Sequence, residues 1–470
     1  MLTQQTKVVS KELPIAKKVV CNQHKSSHTL PSKVNSKINA AIASNVNFYS
    51  GKVKGIILGE QESKFIEPFI VDLLSVEEIN TLLSSDVSND YIVQLYAKVE
   101  PFLINVGVEI NKCNKILPAF VSDYFKKFME YNMNSGKRLR TITVIRISCG
   151  LLQESGASFE HKVEFLTAAF LCSFLIELVQ MAVLAADDVM DSSLTRRKKK
   201  CWYLNDGVGL AAINDAVWGF TLSNLYFKRF VFSSELSILL MNELNELKLR
   251  LCCGQGIDGM LQNFAKNWEE ENLTFKNFEL VTQYKTTFYT FYYPSLFPYL
   301  IHSIINRPLF NSHLNLDKYK RSLEEYTRHL GLLFGAQDDY LDVFGNYDIS
   351  GKIGSDIEEG KCTFLLIKAL GNLNSYSFCY SNVCYTKENK KVCSCNIRTK
   401  VVLSESIGIK DSGKIKTARE ILVNCEVEKE FHEYSREVID AIENCEELHE
   451  YPIVENVLGL ILKGIKSRQD

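Results

Sequence analysis

The fold and the functional site are best indicated by the stretch Glu177-Leu-Val-Gln-Met-Ala-Val-Leu-Ala-Ala-Asp187-Asp188-Val-Met-Asp191. A mostly apolar helical run ends here in three carboxylates, a placement that is costly without a cation nearby. Residues four apart share one face of a helix, so Asp187 and Asp191 can converge on one metal ion, while Asp188 lies about 100° around the helix. A solvated acidic helix end is the alternative interpretation of one such cluster.

A second cluster, Asp338-Asp339-Tyr-Leu-Asp342, repeats this spacing after the apolar run Leu332–Gln337. Hard oxygen ligands in small number suit Mg²⁺, which completes its coordination shell with water and substrate phosphates. Two matching clusters favour two facing metal sites, where several ions clamp a diphosphate and make it a good leaving group. The implied reaction is heterolysis of a carbon–oxygen bond to an allylic cation.

Basic and aromatic residues are arranged to match the two clusters. As isolated charges these basic residues are more often on the surface, but two groups of them flank a carboxylate cluster. The basic candidates for phosphate contacts are Lys137, Arg140, Arg196, Arg197, Lys352 and Lys361. The stretch Lys285–Tyr293 combines a polar start with aromatic rings, which either stabilise a cation or pack in the core.

Composition excludes several classes of function. With 54 Lys and Arg against 56 Asp and Glu, the net charge of −2 gives no global attraction to nucleic acid or to an anionic membrane. No uninterrupted apolar run reaches the roughly 18 to 20 residues of a bilayer span, so we expect no membrane span. Fourteen cysteines are scattered without disulfide-framework spacing, which favours a reducing compartment.

The chain divides into an extension and one helical domain. We expect residues 1–85 to form a basic N-terminal extension, because the first 55 carry nine lysines and one acidic residue, Glu12. This extension is either a mitochondrial transit peptide or a flexible cytoplasmic tail. The transit peptide interpretation is weakened because the first arginine of the chain is Arg138. Residues 86–470 show helical periodicity, which predicts an all-α domain.

An insertion rich in Ser, Asn, Cys and Lys is predicted near residues 372–400. It carries four clustered cysteines. These are Cys379, Cys384, Cys393 and Cys395. A zinc site is one interpretation, but the spacing lacks paired C-x2-C knuckles, so a surface loop is the preferred one.

The segment Leu184–Arg197, followed by Cys201-Trp-Tyr203, resembles the first aspartate-rich motif of farnesyl diphosphate synthases. Gln337–Gly345, with Gly351–Ile357 and Lys361-Cys362, resembles their second motif. The chain is thereby similar to the trans-isoprenyl diphosphate synthase family over most of residues 100–470. This resemblance implies an isoprenoid synthase-type helical bundle around a deep central pocket, three Mg²⁺ ions per active site and a homodimer.

The resemblance also implies roles for individual residues. Asp187, Asp191 and Asp338 would be the magnesium ligands, within a catalytic set completed by Asp188, Asp339, Asp342, Lys285 and Thr286. Arg196, Lys285 and Lys352 would hold the allylic diphosphate, with Gln255 and Asp258 on the metal side and Lys361 after the second motif. A second pocket for isopentenyl diphosphate would use Lys137, Arg140, Gln180, Arg197 and Phe334.

The chain departs from the family around that second pocket. Leu139, Thr141, Lys198 and Gly335 replace the usual polar residue, two glycines and a glutamine, and the chain ends in Ser-Arg-Gln-Asp470 rather than a basic tail. Ala182 and Val183 replace the bulky aromatic residues that limit product length. These changes predict a partly eroded pocket for the second substrate and a deeper cavity for the first.

Three functions are compatible with these features. A sesquiterpene synthase of the type that insects derive from this family would ionise farnesyl diphosphate to a C15 hydrocarbon or alcohol, and the departures favour it. The alternative is a farnesyl or geranylgeranyl diphosphate synthase, supported by the retained residues of the second pocket. The third, a non-catalytic subunit, would have no reason to retain two sets of costly carboxylates.

Overall fold

The fold is organised around one long apolar helix, α6, which spans Phe159–Met190. Ser158 caps its N-terminus by accepting a hydrogen bond from the backbone N–H of His161. Its middle turns are buried on all sides, as expected for a helix whose apolar residues are not confined to one face. The computed structural model describes residues 69–85, 87–112, 118–133, 136–230, 232–305, 315–345, 354–375, 378–381 and 392–467.

The described residues form helices joined by short connections. In chain order the helices are α1 Ile70–Leu73, α2 Val76–Leu82, α3 Asn89–Lys112, α4 Ala119–Met133, α5 Leu139–Glu154, α6, α7 Ala211–Tyr226, α8 Ser234–Lys266 and α9 Phe275–Val281, a π-helix Thr282–Tyr292, α10 Tyr293–Ile305, α11 Leu316–Phe344, α12 Asp356–Glu359, α13 Phe364–Asn374, α14 Ser394–Ser404, α15 Ser412–Asn424, α16 Val427–Glu443 and α17 Pro452–Lys466. Two short 3₁₀ helices span Trp202–Leu204 and Glu270–Asn272. Within the described ranges the strands are β1 Thr195–Arg196 and β2 Lys199–Lys200, which pair antiparallel.

Two clusters of buried apolar side chains form the core of one compact unit. The larger surrounds α6 and includes residues of α3, α5, α7, α8 and α10. The smaller lies under α13, α15 and α16. Helix α11 joins the two, with Leu330 in the first cluster and Leu332 in the second. The all-α prediction is confirmed, and α11 carries the second carboxylate cluster between the two cores.

Helical structure begins before the predicted boundary at residue 86. Helices α1 and α2 lie within the predicted extension, and Ile70 and Leu82 are fully buried in the larger core. A capping box at Ser75 and Glu78 starts α2, but seven residues are too few for a clear helical period in the sequence. Residues 1–68 lie outside the described part of the chain, so the transit peptide and cytoplasmic tail stay untested predictions.

The predicted insertion at 372–400 also includes regular structure. Helix α13 continues to Asn374, and α14 begins at Ser394. The segment Phe378–Ser381 lies between them, and Cys384 falls outside the described residues. The irregular composition therefore marks a connection between two helices, but it does not mark their ends.

Among the described residues, only helix α6 is long and apolar enough to span a bilayer. However, 89% of its most apolar 18-residue window is buried inside the protein. Burial against other helices satisfies the apolar surface of α6 without lipid, as in the core helix of a large bundle.

Candidate active site

The first carboxylate cluster lies at the C-terminal end of α6 and faces α8. Asp187 accepts a hydrogen bond of 2.8 Å from Gln255 Nε2, and Asp191 accepts one of 3.0 Å from Gln262 Nε2. Both carboxylates are more than 90% buried. The four-residue spacing thus places Asp187 and Asp191 on one face, as predicted. Gln262 was not identified from the sequence; its spacing of seven residues after Gln255, two helical turns, was the available signal.

Asp188 points in another direction. Its Oδ1 accepts hydrogen bonds of 2.8 and 2.6 Å from Nε and Nη2 of Arg196. Burial raises the pKa of Asp188, and the charge of Arg196 offsets this only in part. Asp188 therefore holds the hairpin arginine and does not face α8 with its neighbours.

Two cations lie beside Asp187. Lys285 Nζ is 2.9 Å from Asp187 Oδ1 and 2.6 Å from Asp258 Oδ2, and Arg196 Nη2 is 3.2 Å from Asp187 Oδ2. Burial opposes ionisation of Asp187, but the charges of Lys285, Lys361 and Arg196 outweigh it and hold its pKa well below the usual range. Asp187 is therefore a carboxylate throughout the physiological pH range.

The π-helix brings Lys285 to this position because Gly254 of α8 has no side chain. A Cβ on Gly254 would lie 2.5 Å from the backbone nitrogen of Lys285. The two backbones can approach only with glycine there. π-Helical segments are frequent at functional sites, and this one carries residues of both cavities described below.

Lys361 connects the first carboxylate cluster to α12, the short helix that follows the second cluster. Its Nζ is 3.1 Å from Asp191 Oδ2, 2.9 Å from Glu359 Oε2 and 3.7 Å from Asp356 Oδ1. Glu359 and Asp356 belong to the short helix that follows the second cluster. The sequence identified Lys361 as a phosphate contact, but it gave no signal that this lysine reaches the first cluster.

In the second cluster the three aspartates differ in their surroundings. Asp338 is exposed, whereas Asp339 accepts a 2.7 Å hydrogen bond from the backbone N–H of Phe364. Asp342 accepts bonds of 3.1 Å from the backbone N–H groups of Ser355 and Asp356. Burial, with the nearby Asp356, raises the pKa of Asp339. Asp339 and Asp342 thus fix the segments after α11, and Asp338 lies open to solvent.

A cavity of about 130 Å³ lies against the second cluster, and its wall includes Lys285 and Lys361, which contact the first. Its polar residues come from both sides of the site. They are Asp258, Thr282, Lys285, Thr286, Asp338, Asp339, Asp356, Lys361 and Thr363. Apolar side chains, including Phe278 and Phe334, complete the wall. The structure therefore brings Lys285, Thr286, Asp338 and Lys361 to one cavity, although they are scattered along the sequence.

A second cavity, also of about 130 Å³, contains all five residues predicted for the second pocket. These five are Lys137, Arg140, Gln180, Arg197 and Phe334. Leu139, noted above as a departure from the family, also lines it. Sequence reasoning missed the other residues of its wall, which are Arg138, Glu177 and Thr290. Phe334 also lines the first cavity, so the two cavities meet at this side chain.

The cations of the second cavity are held in place by their neighbours. Arg140 Nη2 donates a 2.9 Å hydrogen bond to Thr290 Oγ1, and its guanidinium lies 4.2 Å from the centroid of the Tyr289 ring. The Gln180 amide fits with its NH₂ group 3.0 Å from Glu177 and its oxygen 2.9 Å from Arg140. These contacts fix the guanidinium in one orientation.

Arg138 anchors the loop that carries Lys137. It forms a buried ion pair of 2.7 Å with Glu100 and lies 3.6 Å from Glu177. Burial raises the pKa of Glu100 to about 7, although the charge of Arg138 opposes this. Arg138 adopts a left-handed backbone, with φ of 51°, and this turns Lys137 and Arg140 towards the cavity wall. The only sequence signal for this role of Arg138 was its position between Lys137 and Arg140, two predicted phosphate contacts.

Two departures from the family have a packing explanation. Thr141 is fully buried with its hydroxyl 3.4 Å from Glu177, so it completes the polar network behind the second cavity. A Cβ on Gly335 would lie 2.8 Å from Thr282 Cγ2, so glycine permits the close contact of α11 with the π-helix. Packing thus accounts for the departures at these two positions, and the five residues that the sequence retains line one cavity.

Ala182, one of the two small residues behind the prediction of a deeper first cavity, packs against α7. A Cβ on Gly219 of α7 would lie only 3.0 Å from Ala182 Cβ, so the two small residues allow α6 and α7 to pack closely. Ala182 is fully buried at this contact. Its small size is therefore required by helix packing and does not by itself widen a cavity. Lys352 and residues 468–470 of the C-terminus lie outside the described residues.

The hairpin that follows the first cluster contains a strained turn. Arg197 and Lys198 join β1 to β2 with φ values of 52° and 63°. Two-residue hairpin turns with positive φ favour glycine, so the lysine at 198 is accommodated at a conformational cost. This explains why the family has glycine at the position of Lys198.

We expect Lys198→Gly to stabilise the protein by up to about 1 kcal/mol, because glycine relieves the positive φ. The midpoint of thermal unfolding should rise by about 1 to 2 °C in differential scanning calorimetry. The matched control is Lys200→Gly in the paired strand β2, which should lower the midpoint. Equal decreases in both variants would contradict the strain at Lys198.

The residues of the first cluster fit a magnesium ion. Asp187 and Asp191 supply oxygen ligands on one helical face, opposite Gln255 and Asp258 on α8. Gln255 Oε1 is buried and has no hydrogen-bond partner among the described residues. A buried oxygen without a donor, next to two carboxylates, is suited to a hard cation or its bound water.

The fold and this site together define a helical enzyme with two carboxylate clusters and a cationic second cavity. A family model described as polyprenyl synthetase matches residues 122–396. The chain belongs to this family and is a prenyltransferase of the trans-isoprenyl diphosphate synthase type. The predicted resemblance is thus confirmed.

Curated relatives agree with this assignment. The chain is 27% identical over 346 residues to farnesyl pyrophosphate synthase 2 of Arabidopsis thaliana, covering 74% of this chain and 90% of the relative. It is 30% identical over 326 residues to farnesyl pyrophosphate synthase of Nezara viridula, covering 68% and 70%. The human farnesyl pyrophosphate synthase is 28% identical over 349 residues, covering 73% and 74%.

Solved structures show the same fold. The farnesyl diphosphate synthase of T. brucei in complex with a bisphosphonate has a TM-score of 0.65 at 22% identity, with 81% of this chain and 99% of that chain covered. The structure of that enzyme described without a ligand has a TM-score of 0.60 at 23% identity, with 79% and 96% covered. At this identity the likeness concerns the fold alone.

Proposed function

We propose that the chain is a chain-elongating farnesyl or geranylgeranyl diphosphate synthase, which joins isopentenyl diphosphate to an allylic prenyl diphosphate. The observation that carries the proposal is the pair of cavities that meet at Phe334. One contains carboxylates and cations, and the other is lined by Lys137, Arg140 and Arg197. Two diphosphate substrates need two cationic sites, and their reacting carbons must lie close together.

In this proposal the first cavity binds the allylic diphosphate. Lys285, Arg196 and Lys361 would contact the phosphate oxygens, and Asp187, Asp191 and Asp338 would hold Mg²⁺, three ions in all. Bound Mg²⁺ would neutralise charge on the diphosphate as it leaves. Asp258 and Gln255 fix Lys285 and Asp187 in the orientations that binding requires.

The remaining residues govern the carbon chemistry. The carbon–oxygen bond of the allylic substrate breaks, and its electron pair leaves with the diphosphate. The double bond of isopentenyl diphosphate forms the new carbon–carbon bond, and a proton is then lost to the released diphosphate. Thr286 and the aromatic wall of the first cavity face the allylic carbon and exclude water from it.

The terpene synthase hypothesis is less well supported. It depended on an eroded second pocket and an enlarged first cavity, and packing roles account for three of those departures, at Thr141, Gly335 and Ala182. The curated relatives quoted above are farnesyl pyrophosphate synthases. A chain-elongating synthase therefore accounts for more of the observed features than a terpene synthase that ionises a single substrate.

The test compares two reactions of the purified chain with Mg²⁺. One contains geranyl and isopentenyl diphosphates, and the other contains farnesyl diphosphate alone. Prenyl alcohols extracted from the first only after phosphatase treatment would support elongation, and their length would identify the product. A volatile C15 hydrocarbon or alcohol from farnesyl diphosphate, without phosphatase, would contradict the proposal and establish a terpene synthase.

We also propose that the chain forms a homodimer through α7. This helix and its N-cap residue present an apolar stripe that the rest of the described chain leaves exposed, with Leu210 74%, Ile213 48% and Val217 58% exposed. The three residues follow helical spacing and lie on one face. An apolar stripe of this kind fits a second copy of the same surface around a two-fold axis.

Ile213→Asp combined with Val217→Asp should convert the dimer to a monomer, because the interface would bury like charges. Size-exclusion chromatography with light scattering should show half the wild-type mass. Val423→Asp on α15 is the control, since this valine is 47% exposed on a different helix. A monomeric wild-type chain, or an unchanged mass in the double variant, would refute this interface.

A further inference from the structure

Three cysteine side chains converge at the N-terminus of α14, and none of them lines either of the two active-site cavities. Cys379 Sγ lies 3.8 Å from Cys393 Sγ and 3.5 Å from Cys395 Sγ, and the last two sulfur atoms are 2.8 Å apart. All three are thiols, and Cys393 is fully buried. These sulfur atoms form a compact triangle that the sequence spacing did not predict.

The triangle is held together by Asn396, which is fully buried. Its Nδ2 donates a 2.9 Å hydrogen bond to the carbonyl oxygen of Phe378, and its Oδ1 accepts one of 2.9 Å from the backbone N–H of Tyr380. One side chain of α14 thus fixes the backbone on both sides of Cys379. A ligand set supported in this way is suited to binding a cation without large rearrangement.

The sulfur separations suit a zinc ion. Zinc–thiolate bonds of about 2.3 Å in tetrahedral geometry place the sulfur atoms about 3.8 Å apart. Two of the three separations, 3.8 and 3.5 Å, are already close to this value, and the third would open by about 1 Å. Thiolates select soft cations, whereas the carboxylates of the active site suit Mg²⁺.

The position of the cysteines at the N-terminus of α14 favours the negative charge of a zinc–thiolate site. Cys393 is the N-cap residue of this helix, and Cys395 lies in its first turn, where the helix dipole stabilises negative charge. A zinc ion with three thiolates carries a net charge of −1, which this helix end can accept.

We propose that Cys379, Cys393 and Cys395 form a zinc site, with one further position for water or another ligand. On binding, each thiol releases its proton to solvent and donates a sulfur lone pair to Zn²⁺. The ion ties the segment Phe378–Ser381 to the start of α14. The site is structural and independent of the prenyltransferase reaction.

The test measures metal in the full chain purified without chelator. We expect about one equivalent of zinc by elemental analysis, and Co²⁺ added to the metal-free chain should give sulfur-to-cobalt charge-transfer absorption. Zn²⁺ should raise the thermal midpoint of the metal-free chain by about 3 °C or more. Cys379→Ser combined with Cys395→Ser should lower zinc affinity at least about 100-fold and remove this shift.

Cys252→Ser combined with Cys253→Ser is the matched control, since both cysteines are exposed on α8. It should retain the metal and the absorption band. The single variant Cys395→Ser is measured as well, and its helix content is checked by circular dichroism. This separates loss of zinc binding from loss of the fold. Zinc binding that persists in the Cys379/Cys395 double variant would overturn the proposal, as would a metal-free chain whose mass spectrum shows a disulfide among the three cysteines.

Discussion

Asp187→Asn should reduce turnover of the allylic diphosphate by about 10³-fold, equivalent to about 4 kcal/mol of transition-state stabilisation. Asp187 is the carboxylate on which Gln255, Lys285 and Arg196 converge, all within 3.2 Å. Asparagine keeps the size of the side chain but removes its charge. It therefore removes a ligand for Mg²⁺ and the partner that orients two cations.

The measurement is kcat with geranyl and isopentenyl diphosphates at saturating Mg²⁺, together with the thermal midpoint. The midpoint should change by only a few degrees, because the asparagine fills the same buried volume. Asp206→Asn, at an exposed position after the hairpin, is the control and should retain wild-type turnover. Turnover of Asp187→Asn within threefold of wild type would remove Asp187 from the proposed metal site.

Lys137→Ala should raise the KM for isopentenyl diphosphate by about 10²-fold, as expected for a lost charge-assisted contact. Lys137 lines the second cavity, whereas the first cavity is lined by Lys285 and Lys361. The KM for the allylic substrate should therefore change by less than about threefold. This selectivity distinguishes a second substrate site from a general loss of positive charge.

Steady-state kinetics with each substrate varied in turn measures the two KM values separately. Lys126→Ala is the control, because Lys126 is 40% exposed and pairs across one helical turn with Glu130. Equal effects on both substrates, or none on isopentenyl diphosphate, would contradict the assignment of the second cavity. If the Lys137→Ala variant converted farnesyl diphosphate alone to a volatile product at the wild-type rate, the terpene synthase hypothesis would be supported instead.

Much of the site could be predicted because its signals are local. The convergence of Asp187 and Asp191 on α8 follows from helical geometry over one turn, and the all-α class follows from the same periodicity. The five residues of the second pocket came from resemblance to the family, and the structure places them around one cavity. Because a helix fixes the geometry between its residues, the spacing of a motif in the sequence predicts the arrangement of its side chains in the fold.

Other features depended on contacts between distant segments. Lys285 reaches Asp187 across 98 residues because Gly254 lets the π-helix approach α8. Arg138 and Glu100 support the second cavity through a buried ion pair that no sequence pattern indicates. Helices α1 and α2 begin before the predicted boundary at residue 86, and they are too short for periodicity to detect, although Ile70, Ile79 and Leu82 are buried.

The sequence by itself determined the helical class, the two carboxylate clusters and the family, since these depend on spacing within single helices and motifs. The tertiary structure decided which cation faces which carboxylate, and it showed that Ala182 packs against Gly219 of α7 and that Gly335 packs against the side chain of Thr282. It also brought Cys379 to Cys393 and Cys395 across an irregular connection. The physical reason is that close packing acts between segments whose separation along the chain carries no information about their distance in space.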